Sequence, residues 1–179
     1  MPTWSTVPTF TAGGTATASD MNALGSDMSL VGKPPMAFVT ATATQTATSG
    51  TDLQLAFASG DVNTDSMWVS GTNNQLKINT AGYYLVTATV MWTEPASPLA
   101  GSYRELYVKK NSTTINGSTV FCSPAAGGNY GELQTAQVLV SCAVNDTLTA
   151  WFVHTQGANI TTLNSGSARC SLSAMWVSA

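Results

Sequence analysis

The sequence predicts an all-β domain, a jelly-roll β-sandwich, preceded by a short extended arm and one helix. Three observations carry that prediction. From Met36 onward, short runs of alternating apolar and polar residues recur between clusters of turn residues, at the spacing of a sandwich. After Gly32 no run shows a helical period. The stretch Ile78 to Trp92, INTAGYYLVTATVMW, is β-branched, aromatic or aliphatic almost throughout. Its alternation places Tyr84, Val86, Ala88, Val90 and Trp92 on one face and Tyr83, Leu85, Thr87, Thr89 and Met91 on the other. Neither face is properly polar, so a central strand is expected, with the core on one side and a second layer or a neighbouring subunit on the other.

Residues 1–35 differ in texture from the rest. Pro2, Pro8, Gly13 and Gly14 surround the isolated apolar residues Trp4, Val7 and Phe10, the pattern of an extended arm that docks on a partner. Thr17, three residues ahead of Asp20, or Ser19 itself, is a candidate N-cap. The helix that follows carries Met21, Leu24, Met28 and Val31 at heptad spacing. Two readings stay open for that stripe: packing on the chain's own sandwich, or a short parallel bundle on an oligomer axis. Gly32-Lys33-Pro34-Pro35 ends the helix and divides the chain into an arm, 1–35, and a head, 36–179.

Within the head, Met36 to Thr40 reads as a short strand, and the Thr/Ala run from Ala41 to Gly50 as an edge strand or ordered loop. Leu53, Leu55 and Phe57 alternate as a half-buried strand, while Ser59-Gly60-Asp61 and Gly71 to Asn74 read as turns. Beyond Trp92, a loop from Glu94 to Ser102 leads to a strand from Tyr103 to Lys110, with Leu106 and Val108 inward. Ile115 to Cys122 reads as a strand interrupted by Gly117, and Ser123 to Gly131 as a glycine-rich loop. Three more inward sets follow: Gln134, Ala136, Val138, Val140 and Cys142; Leu148, Ala150 and Phe152; and Cys170, Leu172, Ala174 and Trp176.

Composition narrows the function classes. Only 8% of residues are Asp, Glu, Lys or Arg, against roughly 25% in an average soluble domain. Such a chain either buries much of its outside in an assembly or presents a hydroxyl-rich β surface. A net charge of -3 and no basic cluster beyond Lys109-Lys110 argue against a nucleic-acid partner. No stretch has the length of a membrane span, and MPTWSTVPTF lacks the pattern of a secretion signal, so assembly in a cytoplasm is expected. Cys122, Cys142 and Cys170 are odd in number and widely spaced, which fits buried thiols.

Two resemblances emerge from the motifs. Met36-Ala37-Phe38, Asn-Gln-Leu-Lys-Ile leading to Ala81-Gly82-Tyr83-Tyr84-Leu85-Val86, Leu106 to Lys110 ending in Asn111, and Asn145-Asp146-Thr147 before Ala150-Trp151-Phe152 together resemble the globular head of the C1q and tumour-necrosis-factor superfamily. The last strand, Ser171 to Trp176, lacks that family's aromatic-rich pattern, and no collagen repeat precedes the head. The arm, Thr3-Trp4-Ser5 through Phe10-Thr11-Ala12-Gly13 and Thr17-Ala18-Ser19-Asp20-Met21-Asn22, is similar to the opening of tailed-phage virion proteins. These resemblances imply a homotrimer in the virion, a minor tail, head-fibre or capsid-decoration protein. Trp4, Val7 and Phe10 would dock on other virion proteins, and Met21, Leu24, Met28, Val31, Tyr83, Leu85 and Met91 would meet neighbouring subunits. The alternative is a receptor-binding module that recognises a host glycan or protein through the loops Glu94 to Ser102 and Ser123 to Gly131.

Catalysis has little support in the sequence. His154 is the single histidine and belongs to no catalytic motif, and no cofactor or metal is expected. Asp61, Asn63 and Asp65 match the start of a calcium loop but lack its Gly and distal Glu, so a solvated turn is the expectation. Arg104, Glu105, Lys109 and Lys110 are read as a solvated strand face. Tyr103, Tyr107 and Tyr130 are candidates for stacking on sugars, with packing the stronger expectation.

Overall fold

The structure is a computed structural model that describes residues 12–71, 74–93, 99–124, 131–164 and 168–179. Among these residues one helix, α1 (Ala18–Gly32), precedes thirteen strands: β1 (Met36–Thr40), β2 (Thr46–Ala47), β3 (Leu53–Gln54), β4 (Ser59–Asn63), β5 (Leu76–Lys77), β6 (Gly82–Trp92), β7 (Arg104–Lys110), β8 (Thr113–Thr114), β9 (Val120–Cys122), β10 (Glu132–Cys142), β11 (Thr147–His154), β12 (Ile160–Thr161) and β13 (Ser171–Ser178). One sheet has the order β10-β6-β13-β1-β4 and the other β3-β11-β7-β8, with β5 on β11 and β9 on β7. A small pair, β12-β2, stands beside them. All the described pairings between named strands are antiparallel.

The core fills the space between the sheets. Tyr84, Val86, Ala88, Val90 and Trp92 of β6 are wholly buried, together with Leu106 and Val108 of β7, Leu148, Ala150 and Phe152 of β11, and Leu172 and Ala174 of β13. Each of these sets is one face of an alternating run, as the period-2 reading expects. The doubly apolar stretch is central, since β6 pairs with both β10 and β13. It starts at Gly82, where the turn residues Thr80-Ala81-Gly82 end, and the preceding Ile78 exchanges backbone bonds with Asn145 and Asp146.

Two expectations for the head are corrected. Ser59-Gly60-Asp61 is no turn but the start of edge strand β4, paired with β1 across a register shift at Phe38/Val39. Its polar composition suits an edge, and Gly60 is required there because a Cβ would stand 2.7 Å from the Trp68 ring. Ile115 to Cys122 breaks at Gly117, φ +80°, as expected, but only Val120–Cys122 of it is strand, β9, while the strand before the turn, β8, ends at Thr114. The Thr/Ala run contributes only β2.

The helix begins where its cap residues dictate. Thr17 Oγ1 accepts from the Asp20 N–H at 3.2 Å, and the Asp20 carboxylate accepts from the Thr17 N–H at 2.9 Å, a complete capping box. These bonds from Thr17 hold the Asp20 carboxyl below its usual range. Helix α1 joins β1 through Pro34 and Pro35 and makes little contact with any strand among the described residues. Trp4, Val7 and Phe10 lie outside the described residues.

Candidate functional site

The outer face of the β10-β6-β13-β1-β4 sheet is the first candidate. Strand register lines up Leu139, Leu85, Met175 and Met36 in one row across β10, β6, β13 and β1. Phe38 and Val62 pair beside that row on β1 and β4. Tyr83 is 46%, Met175 45%, Leu139 56% and Leu133 63% exposed, so no second layer of the described chain covers this face. Leu85 and Met91 are half-buried. Between the apolar positions runs a row of hydroxyls, Thr135, Thr89 and Ser171, in which Thr89 and Thr135 approach at 3.5 Å. Met36, Phe38, Val62, Leu85 and Met175 line a shallow, almost wholly apolar groove of about 250 Å³.

The helix presents a similar surplus. Met21, Met28 and Val31 are 59%, 74% and 69% exposed and Leu24 is half-buried, so three of the four heptad residues do not pack on the sandwich. The covered side is the adjacent stripe, with Asp27 and Leu30 buried. Leu133, Leu139, Met175, Val177, Phe38 and Val62 were not among the residues expected on the candidate surface. Alternation could have found the first four, since each is out of phase with an inward set.

At the other end of the head the core turns polar. Trp92 Nε1 donates to Gln134 Oε1 at 3.0 Å, and Gln134 Nε2 donates to the Val120 carbonyl at 2.6 Å. Arg104 corrects the expected solvated strand face: it is 1% exposed and points inward. Its Nη1 meets Glu132 Oε2 at 2.7 Å, its Nη2 donates to the Thr93 carbonyl at 3.0 Å, and its guanidinium lies 5.2 Å from the Trp92 ring centre. Burial lowers its pKa and Glu132 opposes that shift. Lys109 does face outward, stacked over Trp151 at 4.0 Å, and Lys110 donates to the Ser141 carbonyl and lies 3.6 Å from Asp146.

His154 sits in this polar end, wholly buried, with its Nε2 3.1 Å from the Ala47 carbonyl and its Nδ1 accepting from the Gln156 N–H at 3.3 Å. Those partners assign a neutral ring protonated at Nε2. Both nitrogens are thus spent on backbone. The pKa is lowered, first by burial and further by Arg104, against the Ala47 bond. Among the described residues no three His, Cys, Asp or Glu side chains converge as a metal site. Asp61 instead accepts from Ser59 and Thr40, and the Asn63 amide closes on the Trp68 backbone. All three cysteines are free thiols, two of them buried, and burial pushes Cys122 up to about 12 and Cys142 up to about 11. Of the tyrosines, Tyr107 is buried and Tyr103 partly exposed, while Tyr130 lies outside the described residues.

No family model and no curated protein sequence matches the chain. Among solved structures it is similar to the globular domain of zebrafish complement 1qA protein, with a TM-score of 0.53 at 9% identity, over 80% of this chain and 97% of that one. The two antiparallel sheets, the inward sets of the long strands and this neighbour together make the head an all-β jelly roll of the C1q-like kind.

Proposed function

We propose that the chain is a structural component of a phage virion: a homotrimeric capsid-decoration, head-fibre or minor tail protein, held to the particle by residues 1–35 and displaying its jelly-roll head. The observation that carries the trimer is the uncovered apolar row Leu139–Leu85–Met175–Met36. An exposed apolar patch of this kind marks an interaction site. The sheet offers two unlike surfaces, a ridge with Leu133 and Leu139 on edge strand β10 and the groove near β1 and β4. A ridge that fits a groove on the next copy gives a heterologous contact, and such a contact makes a ring, here a trimer, where its rotation closes.

The helix extends the same logic. It enters the head through β1, a member of the apolar-faced sheet, at the end where Trp176 N–H bonds to the Pro35 carbonyl. A threefold axis along that face would bring three copies of Met21, Leu24, Met28 and Val31 together. The virion assignment rests on the arm sequence around Trp4, Val7 and Phe10 and on the depletion of charge. The engagement of both His154 nitrogens with backbone supports a non-catalytic role. Native mass measurement tests the trimer, which a stable monomer would refute. Deleting residues 1–14 tests the anchor: particles that still incorporate the shortened chain at the normal level would exclude it.

A further inference from the structure

The end of the head remote from the helix carries a feature that trimer formation does not use. Strand β6 runs from Tyr83, near the helix junction, to Trp92 in the polar end, a span of ~30 Å at about 3.3 Å per residue. Beyond Trp92, Leu99 to Tyr103 and Ser123-Pro124 line an open cleft of about 380 Å³, within the range of small-molecule sites. Beside it Tyr103 and Phe121 form an edge-to-face pair, centres 5.6 Å apart and planes at 68°, with Phe121 61% exposed. The register sets Phe121 directly opposite Glu105, so a carboxylate flanks the pair. Tyr103 is held in place by Thr155, whose Oγ1 accepts its N–H and whose N–H donates to its carbonyl, each at 3.0 Å.

We propose that this cleft binds a neutral saccharide. The exposed Phe121 ring offers an apolar surface for the C–H face of a pyranose. Glu105, Ser123 and the loop carbonyls of Leu99 to Gly101 are acceptors, and Ser123 also a donor, for its hydroxyls. Among the described residues no cation lines the cleft, and the guanidinium of Arg104, next to Tyr103 in the chain, is buried against Glu132, so an anionic sugar finds no counter-charge. The cleft is built within one chain, and a monomeric result in the mass measurement would leave it standing.

The test is a printed array of neutral, sialylated and sulfated glycans probed with the full chain, with Phe121→Ala and Tyr103→Ala beside it and titration calorimetry on the neutral glycans retained. The expected result is retention of neutral glycans, weakened at least tenfold by each substitution, while both variants keep the melting temperature and mass of the parent. Retention that either substitution leaves unchanged would overturn the proposal. So would a preference for acidic glycans, or an array on which the full chain retains no neutral glycan.

Discussion

Met175→Glu separates an assembly face from a merely exposed sheet. Met175 is 45% exposed, and its register neighbours are Met36 on β1 and Leu85 on β6. Full burial of a methionine side chain contributes about 1.5–3 kcal/mol, so covering the part still exposed is worth about 1 kcal/mol per subunit, or about 3 kcal/mol in a trimer. Glutamate forfeits that gain and must also leave water between two apolar neighbours, at an effective cost of several kcal/mol for each ion. At 1.4 kcal/mol per decade, the trimer should weaken by more than about 10⁴-fold. The isolated head loses nothing, since a carboxylate at this position stays in solvent. Light scattering behind a sizing column, at micromolar protein, should therefore report a folded monomer for Met175→Glu and a trimer for the parent. Thr114→Glu, on the exposed β8 of the opposite sheet, should remain trimeric. A Met175→Glu protein that still elutes as a trimer would refute the reasoning.

Other perturbations probe the head itself. Arg104→Met leaves Glu132 without its partner and the Thr93 carbonyl without its donor; because Glu132 keeps 29% of its side chain in solvent, the loss should be about 2 kcal/mol rather than the larger cost of a fully buried pair. Urea unfolding measures it, and an unchanged midpoint would contradict the structural role assigned to the pair. Gly82→Ala at φ +146° would put a Cβ 2.9 Å from Trp176 Cδ1 and closer still to its Nε1 and the Ser178 carbonyl, so it should cost well over 1 kcal/mol in a thermal melt. For pH, His154 has a folded pKa below its ordinary 6.5. The unfolded chain therefore takes up a proton that the folded chain resists, and stability, full above about pH 6.5, falls as the pH drops through that value. The slope reaches at most ~1.4 kcal/mol per pH unit for one proton. His154→Gln should flatten it, whereas Asp20 and Asp146, both held below their ordinary carboxylate range, act only at more acid pH.

Local pattern carried most of the fold, and pairing at a distance carried what local pattern could not. Alternation alone sorted the inward sets of β6, β7, β10, β11 and β13, because period 2 assigns faces without knowledge of neighbours. The cap at Thr17 was legible for the same reason, its partner Asp20 being three residues away. Arg104 was not legible. Its burial depends on Glu132, 28 residues on, and on the ring of Trp92, and nothing in Tyr103 to Lys110 signals either. Strand β4 was missed because Ser59 to Asn63 has turn chemistry, and only pairing with β1 makes it a strand. On the helix, two adjacent stripes have equivalent spacing, so the period could not say that Asp27 and Leu30 would be covered and Met28 and Val31 left out.

The second face of β6 shows how register adds meaning to composition. Read alone, Tyr83, Leu85, Thr87, Thr89 and Met91 are an ambiguous mixture. In the sheet, Leu85 joins Leu139, Met175 and Met36 in an apolar row, while Thr87 bonds to Gln137 at 3.0 Å and Thr89 faces Thr135 and Ser171. The opposite face of the same strand is apolar along its middle, where Val86 and Ala88 are flanked by Val138 and Ala174 and by Ala136 and Leu172, and polar only at its end, where Val90 faces the buried Gln134. A surface that must remain soluble until it finds its partner needs hydroxyl rows between its apolar ones, because one continuous apolar sheet would associate without register. A core face has no such requirement, since it never meets solvent in the folded chain. The contrast between the two faces of one strand thus places the first in the core and is the physical support for the assembly role proposed for the second.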